Sequence, residues 1–112
     1  MLVEDDDSIR ELLVEFLRSE GYDVITANHG KQAVDLLTAG QVPRLILLDL
    51  MMPIMDGWTF LAWQAKEAQF AGIPVIALSA ASESNILRAP ASAHIKKPID
   101  LNELLSVIQA LC

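Results

Sequence analysis

Hydrophobic positions along the chain follow two different spacings. In the segments 8–20 and 101–111, apolar residues recur every three or four positions, as they do on one face of an amphipathic helix. Shorter runs at 45–48 and 74–79 are almost continuously apolar, which is typical of strands covered on both faces of a sheet. The pattern therefore predicts both helices and buried strands.

Strands and helices are predicted to alternate along the whole sequence. No repeat, linker or low-complexity segment interrupts this order, so we expect one domain over residues 1–112. The alternation predicts an α/β fold, in which a parallel sheet carries helices on both faces. We expect strands at 1–4, 24–27, 45–48, 74–79 and 93–96, and helices at 8–20, 31–39, 58–71, 82–89 and 101–111, the last of them capped by Asp100.

Composition narrows the functional classes. With 53% hydrophobic and 21% charged residues, the sequence is too apolar for a disordered chain, yet its apolar runs are too short to span a membrane. The formal net charge of −7 argues against binding of nucleic acid or of an anionic membrane surface. The only cysteine, Cys112, excludes a disulfide framework, and the acidic start does not resemble a signal peptide. We therefore expect a cytoplasmic protein without membrane insertion.

Polar residues suited to phosphate or metal chemistry stand at the ends of four predicted strands. In open parallel sheets, functional groups collect beyond the carboxyl ends of the strands. The acids after the first strand could instead cap the following helix, and a serine at a strand end could simply form a turn. An acid that ends an apolar run is harder to explain in this way, because a lone buried carboxylate is costly. The residues are Glu4 and Asp5 after the first strand, Asp49 after the third, Ser79 after the fourth and Lys97 after the fifth.

Together with their neighbours, these residues resemble the response-regulator receiver domain, the CheY-like fold. The resemblance rests on Glu4-Asp5, on the segments 48–57 (LDLMMPIMDG) and 77–80 (ALSA), and on Lys97-Pro98, and it covers essentially the whole chain. It implies a flavodoxin-like, five-stranded parallel sheet with strand order 2-1-3-4-5. The interval before Lys97 is shorter than is usual in the family, so we expect a shortened fourth helix at 82–89.

The resemblance also implies a phosphorylation site that depends on a metal ion. A carboxylate can take a phosphoryl group as a mixed anhydride, provided that a divalent cation offsets the repulsion between the two anions. Mg²⁺ prefers oxygen ligands, and Mn²⁺ is a possible substitute. By resemblance, Asp49 is the phosphoacceptor, Asp5 and Asp49 bind the metal directly, Glu4 holds a metal-bound water, the backbone carbonyl of Met51 is a further ligand, and Ser79 and Lys97 bind phosphoryl oxygens.

Several neighbouring residues are open to two interpretations. The position before Pro98 selects Lys97 rather than Lys96, and the family typically has a cis peptide at that proline. His94 stands where the family usually has an aromatic switch residue, although a partly packed neutral histidine is an equally simple interpretation. We expect His29 to be only a loop residue, and Trp58 and Trp63 to serve in packing.

The functional hypothesis is a phosphorylation-activated receiver domain in two-component signalling. Its partner would be a sensor histidine kinase or a histidine phosphotransfer protein, and it would act as a switch rather than as an enzyme. Because Met51 and Ala81 are apolar, we expect slow hydrolysis of the phosphorylated state.

The alternative is an interaction module that keeps the fold without depending on phosphorylation. A phosphohydrolase would need an acid/base group two residues after Asp49, but that position is occupied by Met51. A flavin-binding protein is disfavoured because the acidic first loop would repel the phosphate of the cofactor.

Overall fold

A computed structural model of the chain describes residues 1–52, 54–80 and 91–112. The helix expected at 82–89 and the residue Ala81 lie outside the described residues. None of the described helices is both long enough and apolar enough to cross a membrane. The elements, in chain order, are β1 (Leu2–Val3), α1 (Asp7–Ser19), β2 (Thr26–Ala27), α2 (Gly30–Thr38), β3 (Ile46–Asp49), α3 (Gly57–Lys66), β4 (Val75–Ala80), β5 (Ala93–Lys97) and α4 (Leu101–Leu111).

The described strands form one five-stranded sheet in the order β2-β1-β3-β4-β5, and every neighbouring pair is parallel. This order confirms the prediction made from the family resemblance. β3 lies at the centre, with Leu47 opposite Leu2 of β1 and Asp49 opposite Leu78 of β4. The ladder continues beyond β3, because the amide of Leu50 donates to the carbonyl of Leu78 at 3.0 Å.

The sheet separates two hydrophobic cores, which confirms helices on both faces. Successive residues of β3 point to opposite faces: Ile46 and Leu48 pack into the core that also contains Leu37 of α2 and Phe60 of α3. Leu47 packs on the other face, in the core formed with α1 and α4. Burial on both faces explains why the sequence of this strand is apolar without alternation.

Each described helix begins at a side chain that accepts a hydrogen bond from a free backbone N–H of the first turn. Asp6 accepts from Ile9 at 3.0 Å, Asp56 from Thr59 at 2.8 Å, and Asp100 from Asn102 and Glu103 at 2.9 and 3.1 Å. The prediction for Asp100 is therefore confirmed. The prediction that His29 is only a loop residue was wrong, because its Nδ1 accepts from the amide of Gln32 at 3.2 Å and caps α2.

The largest difference from the predicted boundaries is the end of α3, which stops at Lys66 rather than at residue 71. The buried amide of Gln64 donates to the carbonyls of Phe70 and Ile73, at 2.9 and 3.1 Å, and so holds the chain in a turn after the helix. Trp63 stacks on Phe70 with ring centroids 5.6 Å apart, in agreement with its predicted role in packing.

Close contact between β3 and the start of α3 requires glycine at position 57. The amide of Gly57 donates to the carbonyl of Leu50 at 2.9 Å. A Cβ at Gly57 would lie 2.6 Å from Leu50 Cα and 3.0 Å from the carbonyl oxygen of Asp49. Because these are backbone atoms, they cannot move aside without disturbing the end of β3.

We therefore predict that Gly57→Ala lowers the free energy of unfolding by about 1–3 kcal/mol or more, since overpacking forces backbone shifts. Gly72→Ala is the matched control, because a Cβ there meets no atom within 4 Å. Its effect should stay within about 0.5 kcal/mol. Urea denaturation of both variants measures the difference, and equal losses of stability would contradict the predicted close packing at Gly57.

Candidate functional site

All five residues predicted at the strand ends lie along the carboxyl edge of the sheet. Glu4 and Asp5 directly follow β1, Asp49 ends β3, and Lys97 ends β5. Ser79 belongs to β4 and stands one residue beyond Leu78, the residue that pairs with Asp49. Because the strands are parallel and contiguous, their ends meet at one rim, and the sequence therefore predicted this juxtaposition correctly.

Three carboxylates converge at this rim. Glu4, Asp5 and Asp49 each offer an oxygen atom, and these oxygens all lie within 4.8 Å of one another. Glu4 and Asp49 are buried, whereas Asp5 is exposed to solvent. Oxygen atoms are the ligands that Mg²⁺ and Mn²⁺ prefer, and a cation would relieve the repulsion between the acids. The donor set therefore fits a hard divalent cation.

The ammonium group of Lys97 bridges two of these carboxylates. Its Nζ donates to Glu4 Oε1 at 3.1 Å and lies 3.3 Å from Asp49 Oδ2. Burial opposes the charged ammonium, but Asp49 and Glu4 together outweigh this effect and raise the pKa of Lys97. Lys96 is exposed, so the geometry favours the choice of Lys97 over its neighbour. The Lys97–Pro98 peptide is cis, as the resemblance implied.

Crowding also changes the protonation of the acids. Burial raises the pKa of the Glu4 carboxyl to about 8, and the neighbouring Asp49 contributes to the rise while Lys97 opposes it. Partial loss of hydration raises the pKa of Asp5, and Asp49 raises it further. Without a cation, burial and the neighbouring Asp49 therefore favour the protonated form of Glu4.

Two polar atoms at this rim have no hydrogen-bond partner among the described residues. They are Oε2 of Glu4 and Oγ of Ser79, and both side chains are 0% exposed. A buried polar atom without a partner costs about 1–3 kcal/mol, so such atoms are rare unless a ligand or water uses them. They mark free hydrogen-bonding capacity at this rim, which is a second sign that the residues fit a metal ion and an anionic group.

The loop after β3 folds back onto Asp49. The amide of Met51 donates to Asp49 Oδ1 at 3.1 Å, while the Met51 side chain is 61% exposed. His94, the possible switch residue, is half-buried on β5 and pairs with Ala77 in the ladder, and its role stays a prediction.

One residue near the site was missed by the sequence analysis. Arg10 of α1 donates from Nη1 to the backbone carbonyl of Glu4 at 3.0 Å and forms an ion pair with Asp7. The spacing of Asp7 and Arg10 indicates the ion pair, because residues three positions apart are neighbours on the surface of a helix. No sequence pattern indicates the contact with the carbonyl of Glu4.

The raised pKa of Glu4 predicts how stability depends on pH. The carboxyl ionises near pH 4.5 in its ordinary state and near pH 8 in the folded protein, so between these values the folded state holds more protons than the unfolded state. Stability should therefore fall as pH rises through this window. In metal-free buffer we expect a loss on the order of 1 kcal/mol between about pH 5.5 and about pH 7.5.

The matched variant is Glu4→Gln, which keeps the shape of the side chain but cannot ionise. Urea denaturation at the two pH values should show that most of the slope has disappeared in this variant. A variant with the same slope as the parent protein would show that Glu4 does not titrate in this range.

Comparison with protein families gives one clear match. The model of the response regulator receiver domain matches residues 1–109. The polar-differentiation response regulator DivK of Brucella anthropi is 30% identical, over 98% of this chain and 92% of the relative. The probable transcriptional regulator ycf29 of Pyropia yezoensis is 35% identical over 99% of this chain, which spans about half (51%) of that relative's length.

Solved structures agree with this match. The signal receiver domain of a signal transduction histidine kinase from Syntrophus aciditrophicus superposes with a TM-score of 0.92 at 32% identity, covering 98% of this chain and 86% of that one. The chemotaxis protein CheY4 of Vibrio cholerae gives a TM-score of 0.89 at 25% identity, with 99% of this chain and 95% of that one covered.

The family match gives the acidic rim a context. Receiver domains are signalling switches that interact with histidine kinases and phosphotransfer proteins, and they bind Mg²⁺ at an acidic pocket. The match covers nearly the whole chain, and the sheet order and the acidic cluster agree with it. The chain therefore belongs to the response regulator receiver domain family of two-component signalling.

Proposed function

We propose that residues 1–112 form one receiver domain that is activated by phosphorylation of Asp49. The donor would be a phosphohistidine on a partner histidine kinase or phosphotransfer protein. The main support is the convergence of Glu4, Asp5 and Asp49 at the ends of the neighbouring strands β1 and β3, with the ammonium of Lys97 already among them. A cluster of three carboxylates and one ammonium is difficult to explain as part of a hydrophobic core, because burying charged groups is costly.

In the proposed reaction, a carboxylate oxygen of Asp49 attacks the phosphorus atom of the donor. The new O–P bond forms an acyl phosphate as the P–N bond to the donor imidazole breaks, and the imidazole keeps the bonding electrons and gains a proton. Glu4, Asp5, Asp49 and the carbonyl of Met51 would hold Mg²⁺, or Mn²⁺, either directly or through water. When bound, this cation offsets the negative charge that builds up between the acceptor and the phosphoryl group.

Two further side chains would bind the transferred group. The buried Oγ of Ser79 is free to donate to a phosphoryl oxygen, because no described residue accepts its hydrogen bond. Lys97 would exchange its contact with Asp49 for a phosphoryl oxygen, to which an ammonium binds as a compact positive charge. Since Lys97 belongs to β5, this exchange would carry the change from the centre of the sheet to its edge.

The lifetime of the phosphorylated state follows from the groups around it. Hydrolysis needs a water molecule oriented for attack in line with the leaving carboxylate. Met51 has no side-chain group that orients water, so we propose slow loss of the phosphoryl group. The chain would then act as a long-lived switch in the cytoplasm.

The decisive experiment is incubation with Mg²⁺ and a small acyl-phosphate or phosphoramidate donor, followed by intact-mass measurement. We expect the parent protein to gain one phosphoryl group and Asp49→Asn to gain none. Asp6→Asn is the matched control, since Asp6 only caps α1, and it should react as the parent does. Failure of the folded parent protein to react would instead favour an interaction module that does not depend on phosphorylation.

A second prediction separates the two adjacent lysines. Lys97→Ala removes the ammonium that contacts Glu4 and Asp49, whereas Lys96→Ala removes only an exposed charge. We expect the first variant to be phosphorylated without the amide chemical-shift changes that the parent protein shows along β5. The second variant should show these changes in full. Identical spectra for the two phosphorylated variants would contradict the proposed role of Lys97.

A further inference from the structure

Arg10 lies unusually deep for an arginine on the surface of a helix. Only 16% of its side chain is exposed, although it belongs to the first turns of α1. One end of its guanidinium group donates to the carbonyl of Glu4, and another nitrogen pairs with the carboxylate of Asp7. The side chain therefore bridges the end of β1 and the first turn of α1, on either side of Asp5.

The backbone on both sides of Asp5 is fixed. The amide of Glu4 donates to the carbonyl of Ala27 in β2 at 3.0 Å, and the carbonyl of Glu4 accepts from Arg10. After Asp5, the side chain of Asp6 caps α1. Asp5 itself is exposed to solvent. The direction of its carboxylate therefore depends on the two peptide units that Arg10 and the cap hold in place.

Electrostatic attraction to a metal ion cannot explain the position of Arg10, because both groups are positively charged. A guanidinium near a cation site repels the cation, so on electrostatic grounds alone its removal should strengthen metal binding. A geometric role predicts the opposite effect, because a loosened loop would no longer present the Asp5 carboxylate to the ion. The sign of the change in affinity therefore separates the two explanations.

We propose that Arg10 is a positioning residue: it clamps the carbonyl of Glu4 and the carboxylate of Asp7, and so holds the Asp5 carboxylate in place for Mg²⁺. The inference rests on the proposed metal site. Partners that orient metal ligands from outside typically change metal affinity 10- to 100-fold when they are mutated, that is by about one to two orders of magnitude. Because Asp5 stays attached to α1, we expect the lower end of that range.

The test is calorimetric titration of the unphosphorylated protein with MgCl₂. Arg10→Ala should weaken binding about tenfold. Arg10→Lys keeps the charge but cannot hold both oxygen partners in the same planar geometry, so it should restore only part of the affinity. Arg18→Ala is the matched control, because it removes an exposed positive charge at the other end of the same helix. It should leave the affinity unchanged or slightly stronger.

A double-mutant cycle shows whether Arg10 acts through Asp5. In an Asp5→Asn background, Arg10→Ala should cause no further loss, because the ligand that it positions is already gone. Hydrogen exchange without metal gives a second measurement: the amides of residues 5 and 6 should exchange faster in Arg10→Ala, while those of β4 should not change. If Arg10→Ala does not fold, Asp7→Ala removes one partner of the guanidinium and should show the same effects more weakly.

The outcomes separate this inference from the proposed function. If Asp5→Asn weakens Mg²⁺ binding but Arg10→Ala leaves it unchanged or strengthens it, the positioning role is wrong and the proposed site stands. Additive losses in the cycle would also contradict it. If Asp5→Asn has no effect, the metal site itself is wrong, and the positioning role is wrong with it.

Discussion

Repulsion among the carboxylates of Glu4, Asp5 and Asp49 is the constraint that governs the carboxyl edge of the sheet. Two like charges about 5 Å apart repel by roughly 3 kcal/mol at an effective dielectric constant of about 20. The folded chain limits this repulsion in two ways. Lys97 places an ammonium between Glu4 and Asp49, and the raised pKa of Glu4 favours the protonated, uncharged form of that acid. A divalent cation bound between the three acids would replace the proton and relieve the same repulsion.

The hydrophobic sheet supports this unfavourable cluster. β3 is buried on both faces and is paired on both sides, so the position of Asp49 is fixed by the most protected part of the fold. The backbone of the loop that follows β3 is locally strained. Ile54 has a φ of +71°, a conformation that costs a β-branched residue about 1–2 kcal/mol, and Gly57 is required where α3 meets the strand. The burial of β3 on both faces thus offsets the backbone strain in the loop that follows it.

Features set by local pattern could be predicted from the sequence, whereas those set by tertiary contacts could not. The alternation of strands and helices, the cap at Asp100, and the meeting of acids at one rim all follow from periodicity and from the geometry of parallel sheets. The early end of α3 depends on Gln64, whose amide bonds form only after the chain has turned. The contact of Arg10 with Glu4 likewise joins a side chain to a backbone carbonyl, and every residue has such a carbonyl. Residue spacing therefore cannot predict this contact.

The shared use of Lys97 has a consequence for the proposed switch. In the unphosphorylated protein, one ammonium serves both Glu4 and Asp49, although these acids follow different strands and the lysine lies on a third. A phosphoryl group that drew this ammonium away from Asp49 would also weaken its contact with Glu4, and the buried acid would then depend more on a proton or a cation. Metal binding and phosphorylation would therefore favour each other, and linkage requires this coupling to be reciprocal. The same lysine that relieves the repulsion at rest would thus couple the cation, the phosphoryl group and the edge strand in the proposed active state.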